Sequence, residues 1–237
     1  MEEAILQGFF ELVERDCVAL WWYNMLKKPG VDFVSFGEPY LLELREYFKS
    51  RNREIWALDI TSDLGIPAFA SFSRRVDRKE EHILFGFGCH LDAKIALTRA
   101  VTEMNQMLSM DRYINENGET QIEDSETLHW FKNATVENQP YTVPDTNLKP
   151  VCFRDFQRKH SGDIRKDIIY CKELVEELGM EMLVLDQTRS DIGISVAKVI
   201  VPGLRHFWAR YGSGRLYDVP AKMDWLKKPL KEKDLNP

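Results

Sequence analysis

The chain lacks most of the features by which a function is usually read. It has no run of basic residues, and its formal net charge is −6. Nucleic acid is therefore excluded as a default partner. No apolar run reaches the ~18 residues a membrane span needs, and Met1-Glu2-Glu3-Ala4 has none of the basic start of a secretory signal. Cysteine is scarce: Cys17, Cys89, Cys152 and Cys171 are far apart, with no C-x-x-C spacing. That excludes a zinc ribbon and reads as the free thiols of a cytoplasmic protein. There is no internal repeat, no G-x-x-x-x-G-K-[ST] loop and no kinase glycine loop. Gly86-Phe87-Gly88 lacks the third glycine of a dinucleotide fingerprint.

What is present is a chain of 237 residues, 44% hydrophobic and 30% charged, enough for one large domain or two small ones. Tyr40 to Lys49 has helical spacing, with Leu41, Leu44 and Phe48 on one face. Ile55–Ile60, Pro67–Ser73 and His82–Phe87 read as strands, the last two as a hairpin across the charged loop Arg74 to Glu81. Asp92 to Leu108 reads as a helix with Asp92 as N-cap. Its apolar side is Ile95, Leu97, Ala100, Val101, Met104 and Leu108. Residues 109–150 are polar and read as a loop-rich insertion, with loops at Asn115–Gly118 and Asn138–Pro150 and a short helix near Ser125–Asn133. Asp163 to Leu178 reads as a helix closed by Gly179. Met182–Asp186 and Ser195–Val201 read as strands. The order of elements predicts an α+β (mixed α/β) fold with a mixed sheet.

The chemistry concentrates on two helices. Ile5 to Trp22 is apolar nearly all the way round, yet carries Glu11, Glu14, Arg15 and Asp16. Residues three and four apart are neighbours on a helix, so Glu11, Glu14 and Arg15 cluster. Buried carboxylates are costly unless paired or bound to a metal. A divalent cation with phosphates answers that need, and an ordinary Glu11–Arg15 ion pair is the plain alternative. In the second helix Arg99, Glu103 and Gln106 fall at i, i+4 and i+7, which puts a cation, an acid and an amide on one stripe. A surface Arg99–Glu103 pair is the plain alternative there. Arg205, Arg210 and Arg215 lie in a glycine-containing stretch suited to phosphate or carboxylate, or to a solvated basic loop. His206, beside Phe207-Trp208, reads as structural. If the chain binds a nucleotide, metal-bridging carboxylates on helices must hold it.

Seven stretches in order resemble the YcaO family, in particular the cyclodehydratases of azole-modified peptide biosynthesis. They are Glu11-x-x-Glu14-Arg15-Asp16 with Trp21-Trp22-Tyr23; Leu58-Asp59-Ile60-Thr61-x-Asp63-Leu64-Gly65-Ile66-Pro67; Gly86-Phe87-Gly88-Cys89-His90-Leu91-Asp92; Ala96 to Gln106; Asp186-Gln187-Thr188-Arg189-x-Asp191-Ile192-Gly193; Pro202 to Trp208; and Gly214 to Pro220. The resemblance implies sheets with packed helices and an ATP and Mg2+ site between helices, within a YcaO-like catalytic domain over 1–237. Glu11, Glu14, Glu103 and Gln106 are its implied metal ligands, and Arg15, Arg99 and Arg215 its implied partners for phosphate or neighbouring charge. No catalytic residue follows from it.

The implied reaction is ATP-dependent closure of Cys, Ser or Thr onto the preceding backbone carbonyl of a ribosomal precursor peptide, giving thiazoline or oxazoline. Implied partners are that peptide, a leader-binding E1-like (ThiF-like) protein and an FMN-dependent azoline dehydrogenase. A non-catalytic ATP-binding scaffold and a thioamide-forming enzyme are the alternatives. Family members have sequence before the first helix and a proline-rich tail, and a Ser where Gln7 stands here. The chain is therefore expected to be the C-terminal portion of a longer protein, weakly active on its own.

Overall fold

The computed structural model of the chain describes residues 1–113 and 122–236. Its centre is a three-stranded sheet in the order β1-β2-β3: β1 Arg53–Asp59, β2 Ala68–Arg75, β3 Leu84–Cys89. Both pairings are antiparallel, with Leu58 opposite Ala70 and Ala70 opposite Phe87. A second, two-stranded antiparallel sheet pairs β4 Leu183–Asp186 with β5 Ala197–Ile200. The expected α+β class holds, but the mixed sheet does not: among the described residues every named strand pairing is antiparallel. The reason is connectivity. Each strand returns on its neighbour through a turn, whereas a parallel pair needs a crossover of a dozen or more residues.

Residue alternation assigns each sheet face its helices. Leu58, Ala68, Ala70, Phe72 and Cys89 point into a cluster with Phe9, Phe10, Val13, Cys17 and Trp21 of α1, Glu2–Tyr23. Ile55, Ala57, Phe69 and Leu84 point the other way, into a cluster with α2, Pro39–Ser50, and α3, Ala93–Gln106. Helix α2 buries Leu41, Leu44 and Phe48 as its spacing predicts. Asp92 caps α3, accepting the Lys94 N–H at 2.9 Å. Ile95 leaves the expected apolar side and is exposed, because the buried stripe of α3 runs through Ala96, Leu97, Ala100, Val101 and Met104.

Helix α3 lies directly on the backbone of β3. An added Cβ at Gly86 would stand 2.1 Å from the Met104 nitrogen, and one at Gly88 2.2 Å from the Ala96 oxygen. Only glycine admits that approach. The pair therefore acts in packing, seating the helix that carries Arg99 and Glu103.

Of the segment 109–150, Asn115–Gly118 lies outside the described residues. α4, Ser125–Asn133, forms as expected. The coil after it is packed: Tyr141 is buried, and its carbonyl accepts from the Trp21 indole at 3.2 Å, while that of Thr142 accepts from Trp56 at 2.7 Å. Helix α5, Ile164–Glu177, is capped by Asp163 and followed by Gly179 at φ 74°, and Cys171 and Val175 join the α1 cluster. A further α-helix, α6, Arg215–Lys222, falls where only a motif was read. Among the described residues no helix is long and apolar enough to cross a membrane.

Candidate active site

Strand β3 is one edge of its sheet, with α1 on one face and α3 on the other. Beside that edge the two helices border a cleft of about 330 Å3 lined by Glu11 and Glu14 from α1, Phe87 from β3, and Thr98, Arg99, Thr102, Glu103 and Gln106 from α3. Five of the seven residues picked from the sequence thus line one cleft, although α1 and α3 belong to different core clusters. The edge strand contributes its own backbone: the Phe87 N–H donates to Glu103 Oε1 at 3.3 Å. Arg99 donates to the Cys89 carbonyl at 3.2 Å, which holds its guanidinium against the same edge.

The acids are electrostatically crowded. Burial, then the charges of Glu103 and Glu11, push the Glu14 carboxyl from 4.5 up to about 8, despite Arg15 and Arg99 nearby. Burial raises Glu103 as well, with Glu11 adding to it, while the Phe87 N–H and Arg15 oppose the shift. Glu11 itself is exposed and ion-paired with Arg15. The plain alternative weighed for the first helix is therefore present, but it involves Glu11 and leaves Glu14 and Glu103 without a direct cationic partner in that pair. Among the described residues no three His, Cys, Asp or Glu side chains form a ready-made metal cage. The carboxylates surround a space instead of closing on a point.

The Glu14 carboxyl has a direct consequence for stability. Between pH 4.5 and 8 the unfolded side chain is ionised while the folded one keeps its proton. The folded state then binds more protons, so stability falls as pH rises through this window. Glu14→Gln removes that dependence: the variant is expected to melt higher than the unaltered chain at pH 8–9 and to match it near pH 4. Equal melting temperatures across the range would show that Glu14 ionises freely in the fold.

The remaining two candidates sit outside the cleft lining. Arg15 lies next to it, paired with Glu11 and with its guanidinium carbon 4.3 Å from the centre of the Phe207 ring. Arg215 is gripped elsewhere, by Asp16 at 2.6 Å and Asp63 at 2.7 Å. The sequence reading missed Asp16 and Asp63 as partners, and Thr98, Thr102 and Phe87 as lining. Asp16 carried a signal: it falls on the stripe Phe9, Val13, Leu20 of α1, all buried, so an acid there had to have a buried partner.

The family described as YcaO cyclodehydratase, ATP- and Mg2+-binding, matches residues 1–205. A solved heterocyclase in complex with substrate and cofactor is 48% identical, with a TM-score of 0.94 over 100% of this chain and 31% of that one. The heterocyclase TruD is 48% identical, with a TM-score of 0.90, 100% of this chain and 32% of that one being covered. YcaO from Methanopyrus kandleri, solved bound with AMPPCP and Mg2+, is 23% identical with a TM-score of 0.68 over 87% of this chain and 53% of that one, a likeness of fold. The chain spans about half the length of the curated relatives it matches and about a third of the heterocyclase chains. With a match that extends over far more than half of its residues, the chain belongs to the YcaO family.

Proposed function

We propose that residues 1–237 act as the YcaO-like catalytic domain of an ATP-dependent cyclodehydratase that closes Cys, Ser or Thr side chains of a precursor peptide into thiazoline or oxazoline rings. The observation that carries this reading is the meeting of Glu11, Glu14 and Glu103 with Arg99 and Gln106 at the edge of β3. Two of those acids are held above their ordinary pKa by burial and mutual repulsion, a field that fits a divalent cation. An open ring of carboxylates suits Mg2+, which prefers one or two carboxylates plus substrate phosphates to an all-protein cage. Glu11, Glu14, Glu103 and Gln106 are the residues that would hold it. Bound there, the metal supplies charge neutralisation to the transferred phosphoryl group.

The protein's own contribution is position and charge. Arg99, anchored on the Cys89 carbonyl, and Arg15, beside Glu11, are the residues that would meet the phosphates. The Arg215 guanidinium is taken by Asp16 and Asp63, so the phosphate role falls to the other two arginines. In the reaction the side-chain nucleophile loses its proton and adds to the preceding carbonyl carbon, the resulting oxyanion takes the γ-phosphoryl group of ATP with ADP as leaving group, and the amide nitrogen then expels phosphate with that oxygen, forming the C=N bond of the azoline and giving up its N–H proton. Most of the rate in such a transfer comes from alignment and electrostatic stabilisation. The 48% identity to heterocyclases favours ring closure over thioamide formation. The same reading places the protein in the cytoplasm, with free cysteines, receiving its peptide from a leader-binding E1-like partner and passing azolines to an FMN-dependent dehydrogenase.

The test is mass spectrometry of a precursor peptide encoded beside the gene, incubated with the protein, its leader-binding partner, ATP and Mg2+. One water is lost per ring, and ADP and phosphate appear in step. Nucleotide binding with no loss of mass would assign the chain to scaffolding instead.

A further inference from the structure

The stretch Pro202 to Trp208 has no role in the reading above, yet it comes against α1 beside the carboxylate cleft. His206 Nδ1 accepts the Trp208 N–H at 3.1 Å. Its Nε2 lies 3.4 Å from Nη1 of Arg15. Partial burial and the cations Arg15 and Arg210 lower the pKa of the ring, with Glu11 opposing them, so the neutral imidazole is the resting form. A neutral imidazole has one lone pair and one N–H. The Trp208 N–H on Nδ1 assigns the ring proton to Nε2, and in that tautomer it is directed at a guanidinium, itself a donor only. Two N–H groups therefore converge with no acceptor between them.

The surroundings fix what belongs there. Arg15 is held in place, by the Glu11 carboxylate on one side and the Phe207 ring at 4.3 Å on the other. The ring of His206 packs against Phe207 and Trp208 at 5.0 and 5.5 Å between centroids. Neither donor is free to turn away without losing those contacts. An oxygen placed between two nitrogens 3.4 Å apart can lie ~2.8 Å from both, the length of a good charge-assisted hydrogen bond. A carboxylate ligand would add charge to a cleft already overfull of acids, whereas a phosphoryl oxygen arrives with its cation.

We propose that His206 Nε2–H and the Arg15 guanidinium together bind one phosphoryl oxygen, making His206 a phosphate-binding residue at the rim of the cleft. This rests on the nucleotide site proposed above. His206 is exposed, so its replacement spares the core.

The experiment measures binding of Mg2+-AMPPCP, Mg2+-ADP and inorganic phosphate to the unaltered chain, to His206→Ala and to His206→Gln, with melting temperatures as a folding control. His206→Ala is expected to weaken at least one of the three ligands about tenfold, the size of one hydrogen bond to a charged group. His206→Gln, whose amide still donates, is expected to stay within about twofold. A loss confined to AMPPCP assigns the oxygen to the terminal phosphate of the nucleotide. A shared loss with ADP assigns it to an inner phosphate, and a loss confined to inorganic phosphate assigns it to the released product. If His206→Ala binds all three like the unaltered chain, or His206→Gln is as weak as His206→Ala, the contact is overturned while the nucleotide site stands. If the unaltered chain binds no nucleotide, the proposed function itself fails.

Discussion

Replacing Glu103 by alanine is expected to lower peptide-dependent ATP consumption at least ~100-fold, since even outer-shell partners of metal ligands cost 10–100-fold. The fold is expected to survive. Glu103 comes from α3, whose buried stripe of Ala96, Leu97, Ala100, Val101 and Met104 does not include it. The substitution orphans the Phe87 N–H, which donates to Glu103 Oε1, at a cost of about 1 kcal/mol. Against that, it removes one of the charges raising Glu14. Melting temperature and ADP release measured on the same preparation separate the two effects. An unchanged rate in a folded variant would mean that the carboxylates of the cleft are a crowded surface and not a metal site. A second comparison sharpens the first. Glu103→Gln keeps an acceptor for Phe87 but loses the charge, so it is expected to be as inactive as the alanine variant and closer to the unaltered chain in stability.

Much of this site was legible because its parts are local. The faces of α2 and α3, the Asp92 cap and the β2–β3 hairpin all follow from spacings of two, three and four residues, and they place Arg99, Glu103 and Gln106 on one stripe before any tertiary contact is known. What spacing cannot show is that α1 and α3 meet across the edge of a strand. That depends on Gly86 and Gly88 letting α3 settle onto β3, and a glycine pair in a sequence reads equally well as half of a nucleotide loop. Helix α6 was hidden by its own composition: Gly214 stands at its N-cap and Pro220 inside it, both residues that usually end helices. Arg215 was read as available to phosphate because its partners, Asp16 and Asp63, are about 199 and 152 positions away in the chain. The same distance problem hid the Arg15–His206 contact.

Arg215→Ala is expected to destabilise the chain by about 3–5 kcal/mol, the cost of removing one partner from a buried ion pair. Its side chain is only 12% exposed, and the guanidinium forks between Asp16, whose side chain is fully buried, and Asp63, 6% exposed. Asp16 also accepts the Arg205 N–H at 2.8 Å, so one carboxylate ties α6 and the segment leading to His206 down onto α1. Alanine leaves two buried carboxylates, with Lys222 Nζ at 3.7 Å from Asp63 the remaining ion-pair partner among the described residues. For a chain of this length the loss corresponds to a melting temperature lower by roughly 10 °C. Arg215→Lys is expected to recover only part of it, because an ammonium cannot reproduce the planar fork between two carboxylates. The deficit also has a pH signature. Burial already raises the Asp16 carboxyl, with Arg215 opposing it, and without that cation it rises further. A carboxyl whose folded pKa lies above its unfolded value binds its proton more tightly in the folded state, so the variant recovers as pH falls and loses most at neutral pH and above. Melting curves of Arg215→Ala at pH 5 and pH 8 measure this. A deficit of equal size at both would show that the lost stability comes from the packing of the arginine stem and not from the uncompensated charge of Asp16.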